Sequence, residues 1–315
     1  MKILSVLDRN ARAGLGEIAQ ASRLSKSAVG QRIKQLEEAG VIEGYYSVID
    51  SSRLGYLSFR VYLKFYGTGP KKEEEVLSFL LKEPRVWWLG LAQGNWDLGF
   101  VVWVRSLSDF RAFWTAFLSR FKQNVGNHVV APYLRFRHFA LGYFPQFPGA
   151  AREVCSVGEG SKVELDRQDR KILREIAGNA RIKIVELAQK TGLTPAIVAY
   201  RLKQLVEKKV IVGFRAKINA AALGYSLYKV DFRIADLSRL EEMRQFSQSL
   251  PSLVYIDETV GGADLELDFH FKSAQELEQV LGKFKSRFHS VIRQIDYFVY
   301  SKEVKSAYFP QMAEK

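Results

Sequence analysis

The chain has 315 residues, 47% of them hydrophobic, with 47 Lys and Arg against 34 Asp and Glu and a formal net charge of +13; that length allows about two to four domains, each able to bury its own core. No run of about 18 apolar residues could span a bilayer, and charges at Lys2, Asp8 and Arg9 interrupt any signal-peptide core, so the sequence reads as a soluble, cytoplasmic protein without a membrane partner. The single cysteine, Cys155, excludes an intrachain disulfide and a cysteine-cluster metal site, and reads as a reduced thiol in a linker.

The basic excess is shared: residues 1–150 carry 20 Lys and Arg against 12 Asp and Glu, and the rest carry 27 against 22. Such a balance favours polyanionic partners, and it is also one way to stay soluble.

In chain order, Ile3, Leu4 and Leu7 form one stripe of a first helix, and a short second helix follows around Ile18-Ala19. Ser25 then suits the N-cap of a third helix that buries Val29, Ile33 and Leu36. Gly40 suits its left-handed stop. The β-branched and aromatic run from Val41 to Ile49 reads as a small wing hairpin. From Leu57 the period becomes that of a strand. Leu57, Phe59, Val61, Leu63 and Phe65 make an apolar row, followed by a helix around Val76–Leu81, strands at Val86–Leu91 and Leu98–Val104, a helix at Phe110–Phe121 and a strand at Val129–Phe139. The order β-α-β-β-α-β is that of the ferredoxin-like split unit. Pro145, Pro148, Gly149, Gly158 and Gly160 mark a linker.

The whole pattern then returns. Asn10-Ala11-Arg12, Arg32–Leu36 and Leu54-Gly55-Tyr56 reappear as Asn179-Ala180-Arg181, Arg201–Leu205 and Leu223-Gly224-Tyr225, all 169 residues on. Gly94, Asp97 and Ser119-Arg120-Phe121 return as Gly261, Asp264 and Ser286-Arg287-Phe288 at an offset of 167, so two residues are lost near the turn at 67–70. A period of domain length means a duplicated unit, not a solenoid. The expected fold class is α+β: two copies of a winged helix-turn-helix followed by a ferredoxin-like βαββαβ module. The boundaries are 1–50 and 51–144 for the first copy, 145–164 for the linker, and 165–219 and 220–315 for the second copy.

The copies differ. Leu165-Asp166-Arg167-Gln168-Asp169 supplies acidic groups at the first helix of the second copy, with no equivalent in the first. Thr194 replaces Ser25 as the cap, Pro195 falls at the first helical position, and Lys209 stands where Gly40 does, so that helix ends less comfortably. Leu98, Phe100, Val102 and Val104 match Leu265, Leu267, Phe269 and Phe271, a row expected to face the helices. On the opposite face, Arg60 and Lys64 of the first half are expected to meet Asp231, Glu266 and Asp268, beside His270, of the second, pairing the halves by charge.

A helix after a tight turn, with small and polar groups outward, suits the major groove of double-stranded DNA; the alternative is an ordinary amphipathic helix whose charged face is merely solvated. Each half resembles the leucine-responsive and asparagine-regulator (Lrp/AsnC) family of transcription regulators over nearly the whole chain outside the linker. The resemblance is carried by Asn10-Ala11-Arg12, Ser25–Leu36, Gly40-Val41-Ile42, Leu54-Gly55-Tyr56 and Gly94-Asn95-Trp96-Asp97. It implies a DNA-binding regulator, not an enzyme, without a cofactor, modulated by an amino acid or another small molecule, and assembling into a homo-oligomer. DNA contact is expected from Lys26, Ser27, Gln31, Arg32, Lys34 and Gln35, and from Tyr200, Arg201, Lys203 and Gln204. Effector contact, by resemblance, falls on Gly94, Asn95, Trp96 and Asp97, and on Gly261, Gly262 and Asp264; the alternative is a tight strand-to-strand turn that the Asp caps.

The second glycine loop has no aromatic residue, and Ala196 and Ala199 leave fewer groups to read bases, so the first half is expected to read sequence while the second anchors. Two rivals stand beside this reading. A sirohaem-decarboxylase-like enzyme would resemble the same family, but neither loop has its His and Tyr-Asn pattern, and His128, His138, His270 and His289 are spread over different elements. The other rival is an architectural DNA-binding protein without an effector.

Overall fold

The computed structural model describes residues 1–147, 149–158 and 160–310; Pro148 of the expected linker and the last five residues lie outside them. The first copy runs α1 (Lys2–Arg9), α2 (Leu15–Ser22), α3 (Lys26–Glu38) and β1 (Ile42–Ile49). It continues with β2 (Leu57–Phe65), α4 (Pro70–Lys82), β3 (Val86–Gly94), β4 (Leu98–Val104), α5 (Leu107–Phe121) and β5 (Val125–Phe139). After β6 (Glu153–Val157) come α6 (Arg167–Ala177), α7 (Ile184–Thr191), α8 (Pro195–Glu207), β7 (Ile211–Ile218), β8 (Ser226–Ile234), α9 (Leu240–Ser249), β9 (Leu253–Thr259), β10 (Leu265–Phe271), α10 (Ala274–Phe288) and β11 (Ile292–Ser306).

Local chemistry sets the helix ends. Ser25 Oγ accepts from the Ala28 amide at 3.1 Å, and Thr194 Oγ1 from that of Ile197 at 3.3 Å, so both third helices are capped. Asp166 and Asp169 form a capping box at the start of α6, whereas α1 has no side-chain cap. Gly40 takes φ +66°, and Lys209 is forced to φ +55° at the equivalent stop.

The expected wing hairpins are not hairpins. β1 is one strand and pairs antiparallel with β7, its counterpart from the other copy, with Tyr46 opposite Arg215. The eight residues of β1 are too few for two strands and a turn, so the backbone groups find partners in the duplicate. Each helical unit is thereby completed by the other half. The α1–α3 core takes in Ala216 and Val254, and the α6–α8 core takes in Ile49, Leu54 and Trp103.

Both βαββαβ modules have the ferredoxin-like strand order: β5-β2-β4-β3 and β11-β8-β10-β9. They join at β3–β11 and β5–β9, and because β2 pairs with both β4 and β5, the sheet closes into a barrel. The rows Leu98, Phe100, Val102, Val104 and Leu265, Leu267, Phe269, Phe271 do face outward onto the helices, against Phe113 and Phe117 and against Phe284. The opposite rows turn into the barrel. Both faces are therefore buried, which is why β4 is buried along its whole length.

The stretch expected to be a linker carries β6, which pairs with β5. Arg152 fastens it by donating to the carbonyls of Ala140 at 2.9 Å and Leu253 at 3.0 Å. Cys155 lies in β6, and burial pushes its thiol up to about 12, leaving it protonated.

Candidate nucleic-acid interface and interior clefts

The α3 helix buries Val29 and Ile33 and exposes Lys26, Ser27, Gln31, Arg32, Lys34 and Gln35 together. Lys34 reaches Glu38 at 3.6 Å, but both are well exposed, so the pair holds the lysine weakly. All six expected contact residues on this helix are thus available to a groove.

The α8 helix presents a different face. Tyr200 is 65% exposed and Ile197 41%, beside exposed Ala196 and Ala199. Arg201 does not point to solvent as a phosphate anchor would. It donates to Asp166 Oδ2 and Asp169 Oδ1, each at 2.8 Å, and ties α8 to the capping box of α6. Gln204 donates to Glu207 at 2.8 Å, and Lys203 lies 3.7 Å from the same side chain. Of the four contact residues expected here, Tyr200 and Lys203 stay outward.

The repeated Asn-Ala-Arg motif fixes how the two units sit. Arg12 donates to the carbonyls of Ala180 at 2.6 Å and Ile182 at 3.3 Å; Arg181 donates to those of Ala11 at 2.5 Å and Ala13 at 3.2 Å. The backbone follows the same exchange, with the Ala11 amide on Phe214 O at 2.8 Å and the Ala180 amide on Tyr45 O at 3.0 Å. This pseudo-two-fold clasp of hydrogen bonds ties the two helix-turn-helix units of the chain to each other.

The glycine loops also show a strict duplication. Asp97 accepts from the Phe65 amide at 2.8 Å while its own amide donates to Leu63 O at 3.0 Å; Asp264 does the same with Ile234 at 2.7 Å and Phe232 at 3.0 Å. Both carboxylates therefore lock turns. Lys64 turns to Asp97 Oδ1 at 2.6 Å, within its own half, rather than to the second half. Gly94 and Gly261 take φ +120° and +78°. Asn95, Trp96 and Gly262, in contrast, open on one shared cleft of about 330 Å³, where Trp96 stacks on Tyr62 with ring centroids 5.8 Å apart. A Cβ on Gly262 would come 2.0 Å from Glu266 Oε1, so the loop needs glycine there.

Arg60 carries part of the expected charge pairing of the halves: of Asp231, Glu266 and Asp268, it bonds Glu266, and it adds the unforeseen Asp257. Its guanidinium, 3% exposed, holds Asp257 at 3.2 Å and makes a bidentate pair with Glu266. Lys229, in the second half itself, donates to Asp257 at 2.6 Å and Asp268 at 3.0 Å, so Asp268 finds its cation within its own half rather than across the pair. Burial opposes ionisation of Glu266, but Arg60 and Lys229 outweigh it and hold the group down at about 2. Burial, with Glu266 nearby, raises Asp231 to about 7, and burial, with Asp257 nearby, raises Asp268 to about 7. Asp231 Oδ1 has no hydrogen-bond partner.

A second interior cavity, of about 360 Å³, lies between this cluster and the strand pair β1–β7. The sequence scatters its histidines, yet His138 and His270 both reach this wall. Burial lowers His138 well below the usual range and His270 to about 4, so both are neutral near pH 7. Arg215 joins the halves here: it pairs with Asp8, donates to Asp8 O at 3.0 Å, and lies 3.4 Å from His138 Nδ1. No local pattern in the sequence signals this convergence, because the contacts are 77 and 207 residues apart.

Among the described residues, no helix is long and apolar enough to cross a membrane, and no group of three or more His, Cys, Asp or Glu is placed to hold a metal ion.

A family model described as winged helix-turn-helix DNA-binding matches residues 1–43 and 165–212, one match per copy. The proline dehydrogenase transcriptional activator of Rhodobacter capsulatus is 32% identical over 123 residues, which cover 38% of this chain and 79% of that protein. The HTH-type transcriptional regulator LrpA of Pyrococcus horikoshii is 37% identical over 107 residues, covering 34% and 74%. Among solved structures, the siroheme decarboxylase NirDL superposes with a TM-score of 0.67 at 16% identity over 99% of this chain and 94% of its own, a likeness of fold across both copies. With two winged helix-turn-helix matches and regulators that each correspond to one of its units, the chain belongs to the Lrp/AsnC family of transcription regulators.

Proposed function

We propose that this chain is a sequence-specific DNA-binding transcription regulator in which the two helix-turn-helix units act as a covalent pseudo-dimer. The observation that carries the reading is the reciprocal clasp of Arg12 and Arg181, in a chain whose α3 leaves its six polar candidate residues exposed. In this reading Lys26, Ser27, Gln31, Arg32, Lys34 and Gln35 read bases and position phosphates, while Tyr200 and Lys203 of α8 supply weaker anchoring. Two unlike readers favour half-sites about 10 bp apart, or a multiple of that, in an operator less palindromic than a homodimer's. The cleft shared by Asn95, Trp96 and Gly262 is the proposed effector site, for an amino acid or another small molecule. Fluorescence anisotropy on duplexes tiled across the gene's upstream region, against random DNA over a range of salt, tests this. One preferred segment with a steep salt dependence supports it, and uniform weak binding leaves an architectural role.

A second reading has its own observation: His138 and His270 meet at the wall of one large cavity in a chain whose whole fold is similar to that of a siroheme decarboxylase. Against it, the cations Arg60, Arg215 and Lys217 of the same wall are already held by Glu266, Asp8 and Glu303 and are not free to pair with the carboxylates of such a substrate. A shift of the porphyrin absorbance band on mixing, saturating at one equivalent, would favour this reading over the regulator.

A further inference from the structure

The α8 helix keeps the place of a reading helix but not its chemistry. Val198 and Leu202 are buried as Val29 and Ile33 are in α3, so the two helices are set on their units in the same way. On the solvent side, where α3 shows Lys26, Ser27 and Gln31, α8 shows Pro195, Ala196 and Tyr200, with Ala199 also exposed. The hydrogen-bonding groups that could read bases are turned away: Arg201 to Asp166 and Asp169, and Gln204 to Glu207. Ala196, Ala199, Tyr200 and Lys203 have the spacing that puts side chains on one face of a helix, and all four are exposed.

An apolar face of this kind could meet either a protein or a base pair, and the charge of the unit that carries it favours the base pair. Residues 165–212 hold 11 Lys and Arg against 5 Asp and Glu, an excess of six, whereas residues 1–43 hold 7 against 5, an excess of two. The unit with the fewer polar readers is thus the more basic one, as binding to a polyanion requires. Within the major groove, one base presents an apolar group, the C5 methyl of thymine, and alanine and aromatic side chains are the ones that pack on it. Side chains from the N-terminal part of a recognition helix are those that reach base edges, and Ala196, Ala199 and Tyr200 lie there.

We propose that α8 reads thymine methyl groups: Ala196, Ala199 and Tyr200 pack on the methyls of a thymine-rich half-site while Lys203 holds a phosphate. The operator then joins one half-site read by hydrogen bonds, through α3, to one read by apolar contact, through α8. This inference rests on the DNA-reading function proposed above, and it gives the second unit a base preference in addition to its anchoring.

Fluorescence anisotropy of the full chain on its preferred duplex tests the proposal, with each thymine replaced in turn by deoxyuridine, which removes the methyl and leaves every hydrogen-bonding edge in place. Each contacted thymine should lose about fourfold in affinity, the worth of one buried methyl, and such positions should cluster in one half-site while the other half-site changes by less than about twofold. In the double variant Ala196→Ser, Tyr200→Gln, which gives α8 the side chains of α3 at two exposed positions, the clustered penalty should fall below about twofold. A preferred duplex without thymine in one half-site, indifference to uracil throughout, equal penalties in both half-sites, or a penalty that survives in the folded double variant would overturn the proposal. So would a double variant that alters the sedimentation of the free chain and leaves the uracil penalty intact, which would assign this face to contact between copies of the chain. Because the decisive change is made in the DNA, the unaltered chain gives the answer even where the variant does not fold. Sharp sequence preference that ignores uracil sinks this inference alone, whereas uniform binding to all duplexes sinks the regulator reading and this inference with it.

Discussion

Arg12 and Arg181, 169 positions apart, each donate to the main chain beside the other, so one motif serves twice as its own receptor. The carbonyls of Ala180 and Ile182, and of Ala11 and Ala13, belong to turns that no side chain of their own copy satisfies in this way. Charged donors to carbonyls contribute about 1.5–3 kcal/mol each. Arg12→Ala and Arg181→Ala should each lower stability by about that amount, and each should weaken DNA binding without touching DNA, because the spacing of the two readers loosens. Denaturant titration together with anisotropy on duplexes of varied half-site spacing checks this; a variant that loses stability but keeps a sharp spacing optimum would show that the clasp does not set the geometry.

Arg32 and Arg201 occupy equivalent places but do different work. Arg32 is exposed on α3, whereas Arg201 is held by Asp166 and Asp169. Arg32→Ala should cost about 1–3 kcal/mol of specific DNA affinity if the guanidinium makes a bidentate base contact. Arg201→Ala should leave affinity within about twofold and instead lower the melting temperature by about 1–3 °C, since it unties α8 from α6. Anisotropy and calorimetry on the two variants separate the roles, and equal losses of affinity would return Arg201 to the DNA interface.

Much of this architecture is legible in the sequence, and the parts that are not share a cause. Periodicity locates the helices and the outward rows of β4 and β10, and the duplication announces a paired molecule. The wing strands are misread as hairpins because a β-branched run looks the same whether its partner is four residues away or, as for Tyr46 and Arg215, 169 away. The run's length and its want of a tight-turn pair were the available signal. The strand in the linker is hidden likewise: β6 pairs with a neighbour that its own sequence does not specify. Among the site residues, Arg60 and Glu266 are foreseeable from alternation, whereas Asp257, which holds both Arg60 and Lys229, has no local pattern to single it out.

Lys209 stores strain at the end of α8. A non-glycine residue at φ +55° carries a penalty of about 1 kcal/mol from its Cβ, and the equivalent Gly40 carries none. Lys209→Gly should therefore stabilise the chain by about 0.5–1 kcal/mol, less than the full penalty because glycine also gains freedom in the unfolded chain. Gly40→Ala should destabilise by about 1 kcal/mol even though its Cβ would meet open space. Paired denaturation curves suffice, and a destabilised Lys209→Gly would show that the lysine side chain makes up for its backbone.

The buried titratable groups set opposing pH dependences. Asp231 and Asp268 are raised to about 7 when folded, so they favour the folded state at low pH, and that contribution is lost as pH rises from about 4 through 7. His138 and His270 are lowered, His270 to about 4, so their contribution is present above about 6.5 and is lost as pH falls toward 4. Glu266, held at about 2, loses its contribution only in strong acid and does not enter the window. Between about pH 4.5 and 6 the aspartates and histidines offset one another; above about 6.5 the histidines are neutral in both states and the aspartates act alone. Stability should therefore be nearly flat from pH 5 to 6 and decline from pH 6.5 to 8. Asp268→Asn should shrink that decline, because one of the two carboxylates then no longer has to ionise inside the barrel. Urea titrations at about pH 5.5, 7 and 8 read both slopes directly, and stability that rises through pH 7 in the unaltered chain would mean that Arg60 and Lys229 keep all four carboxylates ionised.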